Sequence, residues 1–400
     1  MSSAPAPVTE PQVRATFVLL FAVTPDQAPR GHSVLPGLDA LPADVAAAYT
    51  QRLQGLQQRL LGEPYLKARR LERRAVGRLA LPGDARAPSQ ADVYLVQHKS
   101  GAAVWEVWLN APPQGLAVAR WVSWFDMEAP DSLARRIWAC LRQARPGSDL
   151  PELALPLALL QFPDQTLDQV LSAHGSELVK LLHRDPSPEP FKASFVQDEL
   201  AADFCRRDQG LSLLSRNGAI DAHAGPRAHS SAGSDEVPQS SLPLLVTLEL
   251  LCLERAVLRS FLDRFARGLY GTVTDLVELR RAIFDGLEEY YGTLARTTGY
   301  TAEATQLGES LFGINDLFDS VVDRLGALTF EITTRNQQEV NRWGFWLTTS
   351  FGAIETGFVA ASIATWHYAD DLFAVLAWTV GVTLTTALLI GGFLRSRLHR

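Results

Sequence analysis

Two apolar runs near the C-terminus constrain this chain more than any other feature. Residues 343–366 form 24 consecutive positions with a single ionisable side chain, Glu355, and residues 372–394 form 23 positions with none. As helices rising 1.5 Å per residue, each would be about 35 Å long, against about 30 Å of hydrocarbon in a bilayer. Only residues 367–371 separate them, so the pair reads as an antiparallel transmembrane hairpin with a very short tip. Trp343, Phe345, Trp346, Trp366 and Tyr368 lie near the ends of the first run, at the depth that amphipathic aromatic rings prefer.

The flanking charges set an expected orientation. Arg335 and Arg342 precede the first run and Arg395, Arg397 and Arg400 follow the second, whereas the connecting tip carries Asp370 and Asp371. Positive residues are retained on the cytoplasmic side. The expectation is therefore an integral protein of the inner or plasma membrane with both termini cytoplasmic and an acidic tip outside. Residues 1–12, rich in Pro, Ala and Ser, lack the basic and apolar regions of a signal peptide and read as a disordered start.

Upstream of the hairpin, Leu307, Leu311, Ile314, Phe318, Val321, Leu325, Leu328 and Ile332 recur at steps of 4 and 3. This a/d repeat predicts a stalk helix packed in a left-handed supercoil, either with copies of itself or with a neighbouring helix of the same chain. No proline occurs between residues 302 and 400, so the stalk and first span can be one continuous helix. Within that span, Asn341, Phe345, Thr348, Gly352, Glu355, Val359 and Ser362 follow one another at steps of 3 and 4, with Thr349 and Thr356 beside them. A stripe of small and polar residues either packs closely on other helices or lines a wet path. A carboxylate facing lipid at mid-span costs at least roughly 2.5–3.5 kcal/mol, so Glu355 is expected to face a bundle interior, with Asn341, Thr348, Gly352 and Ser362 as companion pore-lining candidates. Two spans cannot enclose a path alone, and a pore requires oligomerisation.

The run EITTRNQQEVNRWGFWLTTSFG, preceded by LVELRRAIFDGLEEYYGTL and LFGINDLFDSVVDRLGAL, is similar to the stalk helices and stalk-to-membrane junction of CorA-type metal-ion transporters. Over residues 242–400 the order of elements also resembles that family: long helices, two C-terminal spans, a short outer loop and a basic tail. The family's Gly-Met-Asn at the outer end of the first span is replaced here by Ala364, Thr365, Trp366, His367 and Tyr368, and Met occurs only at positions 1 and 127. The resemblance implies a funnel-shaped homo-oligomer, a pentamer, with the first span lining the pore and Mg²⁺ or another divalent cation as transported or regulatory ion. Magnesium selectivity does not carry over without the motif, and no cofactor is otherwise implied.

The remaining chain reads as an α+β cytoplasmic domain over residues 13–241, followed by a helical stalk region over 242–342 and the hairpin with its tail over 343–400. Residues 15–23 predict a buried strand and 44–61 an amphipathic helix, with Val45, Tyr49, Leu53, Leu56 and Leu60 on one stripe. Residues 92–98 and 102–110 predict a hairpin, residues 120–125 a further strand, 132–145 a helix, 153–162 a strand and 167–183 a helix. A second hairpin is expected to turn at Asn217-Gly218, before a mobile Ser/Gly/Pro-rich loop at 225–241. Arg69, Arg70, Arg73, Arg74 and Arg78 form either a solvated face or an anionic ligand site. Trp105, Trp108, Trp121, Trp124 and Trp138 are either core aromatics or a stacking platform. His223 and His229 lack a third spaced ligand for a metal.

The 37 basic against 44 acidic residues give a net charge of −7, which offers no case for nucleic-acid binding. Cys140, Cys205 and Cys252 are scattered and odd in number, fitting reduced thiols. No GxGxxG, P-loop, GxSxG or HExxH pattern occurs, so the chain does not read as an enzyme. The expected function is a homo-oligomeric, CorA-like channel or transporter for cations, with Asp370 and Asp371 concentrating ions at the outer mouth and the cytoplasmic domain controlling the gate. The alternatives are a ligand-gated membrane effector pore and a non-conducting, membrane-tethered coiled-coil scaffold. Expected partners are copies of the chain and the lipid bilayer.

Overall fold

The computed structural model describes residues 13–25, 28, 37–61, 71–81, 86–98, 100–112, 115–142, 150–225, 240–267, 277–278, 281, 299–367 and 372–398. The expected disordered start at 1–12, most of the loop at 225–241 and the acidic pair Asp370 and Asp371 lie outside these residues.

The chain divides into two compact units, one of residues 1–269 and 281–323 and the other of residues 270–280 and 324–400. The first is built on an eight-stranded mixed sheet. Its strands are β1 (Arg14–Val23), β2 (Leu38–Asp39), β3 (Leu71–Ala80), β4 (Gln90–His98), β5 (Ala103–Asn110), β6 (Leu153–Phe162), β7 (Gly210–Leu214) and β8 (Ala219–Ala224), in the spatial order β2-β3-β4-β5-β1-β6-β8-β7. β1 sits near the middle, antiparallel to β5 and β6, and is buried along both faces. That explains its nearly unbroken apolar sequence, since a strand covered on both sides has no solvent face to alternate with. Both expected hairpins form, β4–β5 and β7–β8. β8 runs parallel to β6, a pairing that a tight turn cannot make and that requires the long helical connection between them.

On one face Phe17 and Phe21 of β1 pack with Trp121, Phe125 and Trp138, carried by α2 (Val118–Trp124), α3 (Leu133–Arg142) and the residues following α2. The tryptophans at 105, 121, 124 and 138 are buried, so they serve as core aromatics. α4 (Leu167–His183) and α5 (Ala193–Ala201) complete this layer, α4 opening with a capping box between Thr166 and Gln169. The opposite face is covered by α1 (Ala43–Leu61) and α6 (Leu242–Ala266), with α7 (Tyr300–Leu311) packed on α6 and β7.

Three expectations need correction. Residues 120–125, expected as a strand, belong largely to α2, because the buried positions Val118, Trp121 and Val122 repeat with helical rather than alternating spacing. α6 packs on β1, β5 and β6 and so belongs to the sheet unit rather than to a separate stalk. The a/d repeat does not run through one helix: Leu307 and Leu311 lie on α7, and the chain breaks at Gly313, whose φ of 62° is a left-handed value that favours glycine. From Ile314 the helix α8 (Ile314–His367) continues unbroken for 54 residues, joining stalk and first apolar run as expected, and α9 (Leu372–Leu398) follows. Ile314, Val321, Leu325, Leu328 and Ile332 are buried within a single chain, and Phe318 is half-buried. α8 and α9 are each long and apolar enough to cross a membrane.

Gly308 fits α7 against Leu251 of α6 so closely that an added Cβ would collide with the leucine side chain. The Gly308→Val variant is expected to destabilise the sheet unit by about 1–3 kcal/mol through overpacking, read as a lower thermal midpoint of the purified chain.

Candidate functional site

Three polar constellations stand out, and their geometries assign them different work. The first is a charge network sealed inside the sheet unit. β5 turns Glu106 toward α1 and α6, β3 brings Arg73 beside it, and α6 contributes Glu249. Their side chains are 0%, 3% and 1% exposed. Arg73 pairs with both carboxylates and also donates to the Tyr49 hydroxyl at 2.9 Å. The Tyr49 hydroxyl donates to Glu106, as does the Trp108 indole N–H at 2.5 Å. One cation faces two buried carboxylates, and burial raises the Glu249 pKa well above its usual range despite Arg73, with Glu106 adding to the rise. Burial opposes the charge on Arg73 too, but the attraction of Glu249 and the other anionic partners holds that guanidinium firmly protonated. A proton kept on Glu249 makes the network neutral overall, which a site closed to water demands. The cluster is a structural latch. The Arg78 guanidinium is likewise paired, with both oxygens of Asp92 at 2.6 and 3.0 Å, so neither arginine is left for an anionic ligand.

Near this latch on α6, Glu254 is buried with its Oε2 unpartnered among the described residues. Burial, with Glu309 of α7 as a secondary cause, pushes its carboxyl up to about 8.

The second constellation surrounds a cavity of about 300 Å³ bordered by the β7–β8 hairpin, the loop before β7 and the first residues of α6 and α7. Asp221 accepts from the Ser212 hydroxyl at 2.6 Å and contacts His223 Nε2 at 3.1 Å. Ser240 and Ser241 approach that same nitrogen at 3.3 Å each. A nucleophilic triad uses the two ring nitrogens separately, one toward the carboxylate and one toward the nucleophile. Here a single nitrogen faces both, so the arrangement has no relay. Burial raises the Cys205 thiol above its ordinary value, which disfavours the reactive thiolate. Among the described residues no three His, Cys, Asp or Glu side chains gather as metal ligands, and His229 lies outside them.

The third constellation is on α8. Thr349, Ala353, Gly357 and Ala364 are buried, and an added Cβ on Gly357 would collide with the Thr383 side chain, so this small-residue face carries the close packing with α9. Asn341, Thr348, Glu355 and Ser362 are exposed and Gly352 half-buried. The four exposed polar residues fall at intervals of seven, and the Thr348 and Ser362 hydroxyls donate to the carbonyls four residues earlier, at 2.8 and 2.9 Å. The structure thus separates what the sequence ran together: Thr349 joins the α9-facing side, while Glu355 has no hydrogen bond or ion pair among the described residues.

Sequence reasoning did not find the Arg73 network or the cavity. The alternation that places Glu106 on the inner side of β5 was visible; its partners 33 residues upstream and 143 residues downstream carried no mutual signal. Compared with family models, with curated proteins and with solved structures, the chain has no match.

Two outcomes are expected. Arg73→Ala leaves the Glu106 carboxylate and the Glu249 carboxyl buried without their cation and should cost about 3–5 kcal/mol, seen as loss of cooperative unfolding or a greatly lowered midpoint. Glu254 is neutral in the fold up to about pH 8 but ionised in the unfolded chain above about pH 4.3. Its contribution is therefore complete below about pH 4 and is lost as pH rises toward 8. Glu254→Gln should raise the thermal midpoint at pH 8, with roughly 3–5 kcal/mol at stake, and change it little at pH 5.

Proposed function

We propose that the chain is an integral membrane protein that assembles with copies of itself into a cation-conducting channel or transporter, with the first span lining the path and the sheet unit in the cytoplasm as its control domain. The observation that carries this reading is Glu355: a carboxylate at the middle of an apolar span, exposed on the face that α9 leaves uncovered. Such a group is costly against lipid. Symmetric copies that turn this face to a common axis relieve the cost by giving the carboxylates water and permeant cations, with Asn341, Thr348 and Ser362 adding oxygens above and below.

The resemblance to CorA-type transporters supplies the pentamer and the divalent ion as working expectations. Asp370 and Asp371, repeated around the axis, would concentrate cations at the outer mouth.

Flux through the purified chain in liposomes tests the proposal, with Mg²⁺, Co²⁺, Zn²⁺, Na⁺ and K⁺ compared. Wild type should conduct at least one cation, and Glu355→Ala, assembled to the same size, should lower that flux about tenfold or more, equivalent to about 1.4 kcal/mol in the barrier. Undiminished flux in the variant would remove Glu355 from the path, and absence of flux for every ion would favour a non-conducting membrane scaffold.

A further inference from the structure

We propose that the cavity between the β7–β8 hairpin and the first turns of α6 and α7 is a binding site for a small phosphate-bearing molecule. Its volume of about 300 Å³ is at the lower end of small-ligand sites. Full positive charge comes from one segment, where Arg206 and Arg207 line the cavity side by side. Arg206 pairs with Glu303, while Arg207 is exposed and makes no ion pair among the described residues. Hydroxyl and imidazole groups come from elsewhere, with Ser240 and His223 on the wall.

The two helices that begin here add partial charge. α6 and α7, of 25 and 12 residues, begin just after Ser241 and Gly299; the Ser241 hydroxyl makes no capping bond, Gly299 has no side chain to cap with, and Pro243 in the first turn of α6 carries no N–H. The positive end of each helix dipole therefore lies beside the arginines. Gly299 joins this wall with φ of 65°, a left-handed value that favours glycine.

The carboxylates near the cavity do not oppose an anion freely. Both oxygens of Asp221 are engaged, by Ser212 and His223, and Asp203 accepts from the backbone N–H groups of Cys205 and Ser212, each at 2.8 Å. They form a braced back wall rather than a cation site. Donors approach from three separate segments, which suits the three or four oxygens of a tetrahedral phosphate better than the two of a planar carboxylate. α7 leads through Phe312 and Gly313 directly into α8, so occupancy would bear on the segment from which the long helix departs. The inference does not rest on conduction, and its test contains no flux.

The experiment is calorimetric titration of the full chain in detergent with inorganic phosphate and with adenosine monophosphate, at ionic strength held constant with chloride. Saturable binding of at least one probe is expected, and Arg207→Ala and Arg206→Ala should each weaken it about tenfold or more, as loss of a charge-assisted hydrogen bond requires. Arg207 is exposed, so the thermal midpoint of Arg207→Ala should match wild type and exclude unfolding as the cause. Tighter binding of the nucleotide assigns an organic phosphate ester; equal binding assigns the phosphate group alone. No saturable heat with either probe at millimolar concentration, or equal affinity in wild type and both variants, overturns the site.

Discussion

A single buried guanidinium organises the sheet unit. Arg73 on β3 reaches Glu106 on β5, Glu249 on α6 and Tyr49 on α1, so it joins two strands to the two helices that cover that side of the sheet. Apolar contacts could hold these elements together equally well, but they slide with little loss. A buried cation bonded to the Glu106 carboxylate and the Glu249 carboxyl does not, because any shift that removes one partner leaves a charged or polar group unpaired where water cannot reach. The network therefore fixes which part of α6 lies over β5. The placement of the rest of α6 follows, including Glu254 beside α7 and Ser241 at the cavity.

The second organising constraint is the apolar surface of α8 and α9. Trp343, Phe351, Phe358, Leu384 and Leu388 are exposed on these helices, which are long and apolar enough to cross a membrane and which satisfy their own backbone groups. Within that setting small residues become the means of contact. Gly357 leaves room for the Thr383 side chain, and the threonine hydroxyls of both helices turn back on their own carbonyls. The polarity left over is concentrated at Glu355 and its companions.

Features governed by local pattern were legible in the sequence. The apolar lengths pointed to two long apolar helices, the Asn217-Gly218 turn to the β7–β8 hairpin, and the lack of proline allowed the continuity of α8. Features governed by distant pairing were not. Nothing near Glu249 announces that an arginine 176 positions earlier will meet it, and the cavity gathers residues from positions 205 to 301. Local pattern also misled where two readings compete. RWVSWF has the β-branched and aromatic composition of a strand, yet its burial follows one side of a helix. The leucine repeat across Leu311 and Ile314 kept its spacing through a glycine that ends one helix before the next begins.

The spacing of the polar residues on α8 bears on chirality. Asn341, Thr348, Glu355 and Ser362 recur every seven residues, whereas a straight α-helix repeats at 3.6 per turn and drifts about 20° per heptad. Over three heptads the four residues would rotate by about 60° around an uncurved helix. Any ring of copies that keeps all four on its axis must therefore wind its inner helices around one another with a left-handed sense, so that narrowing or widening the ring is coupled to a change of twist.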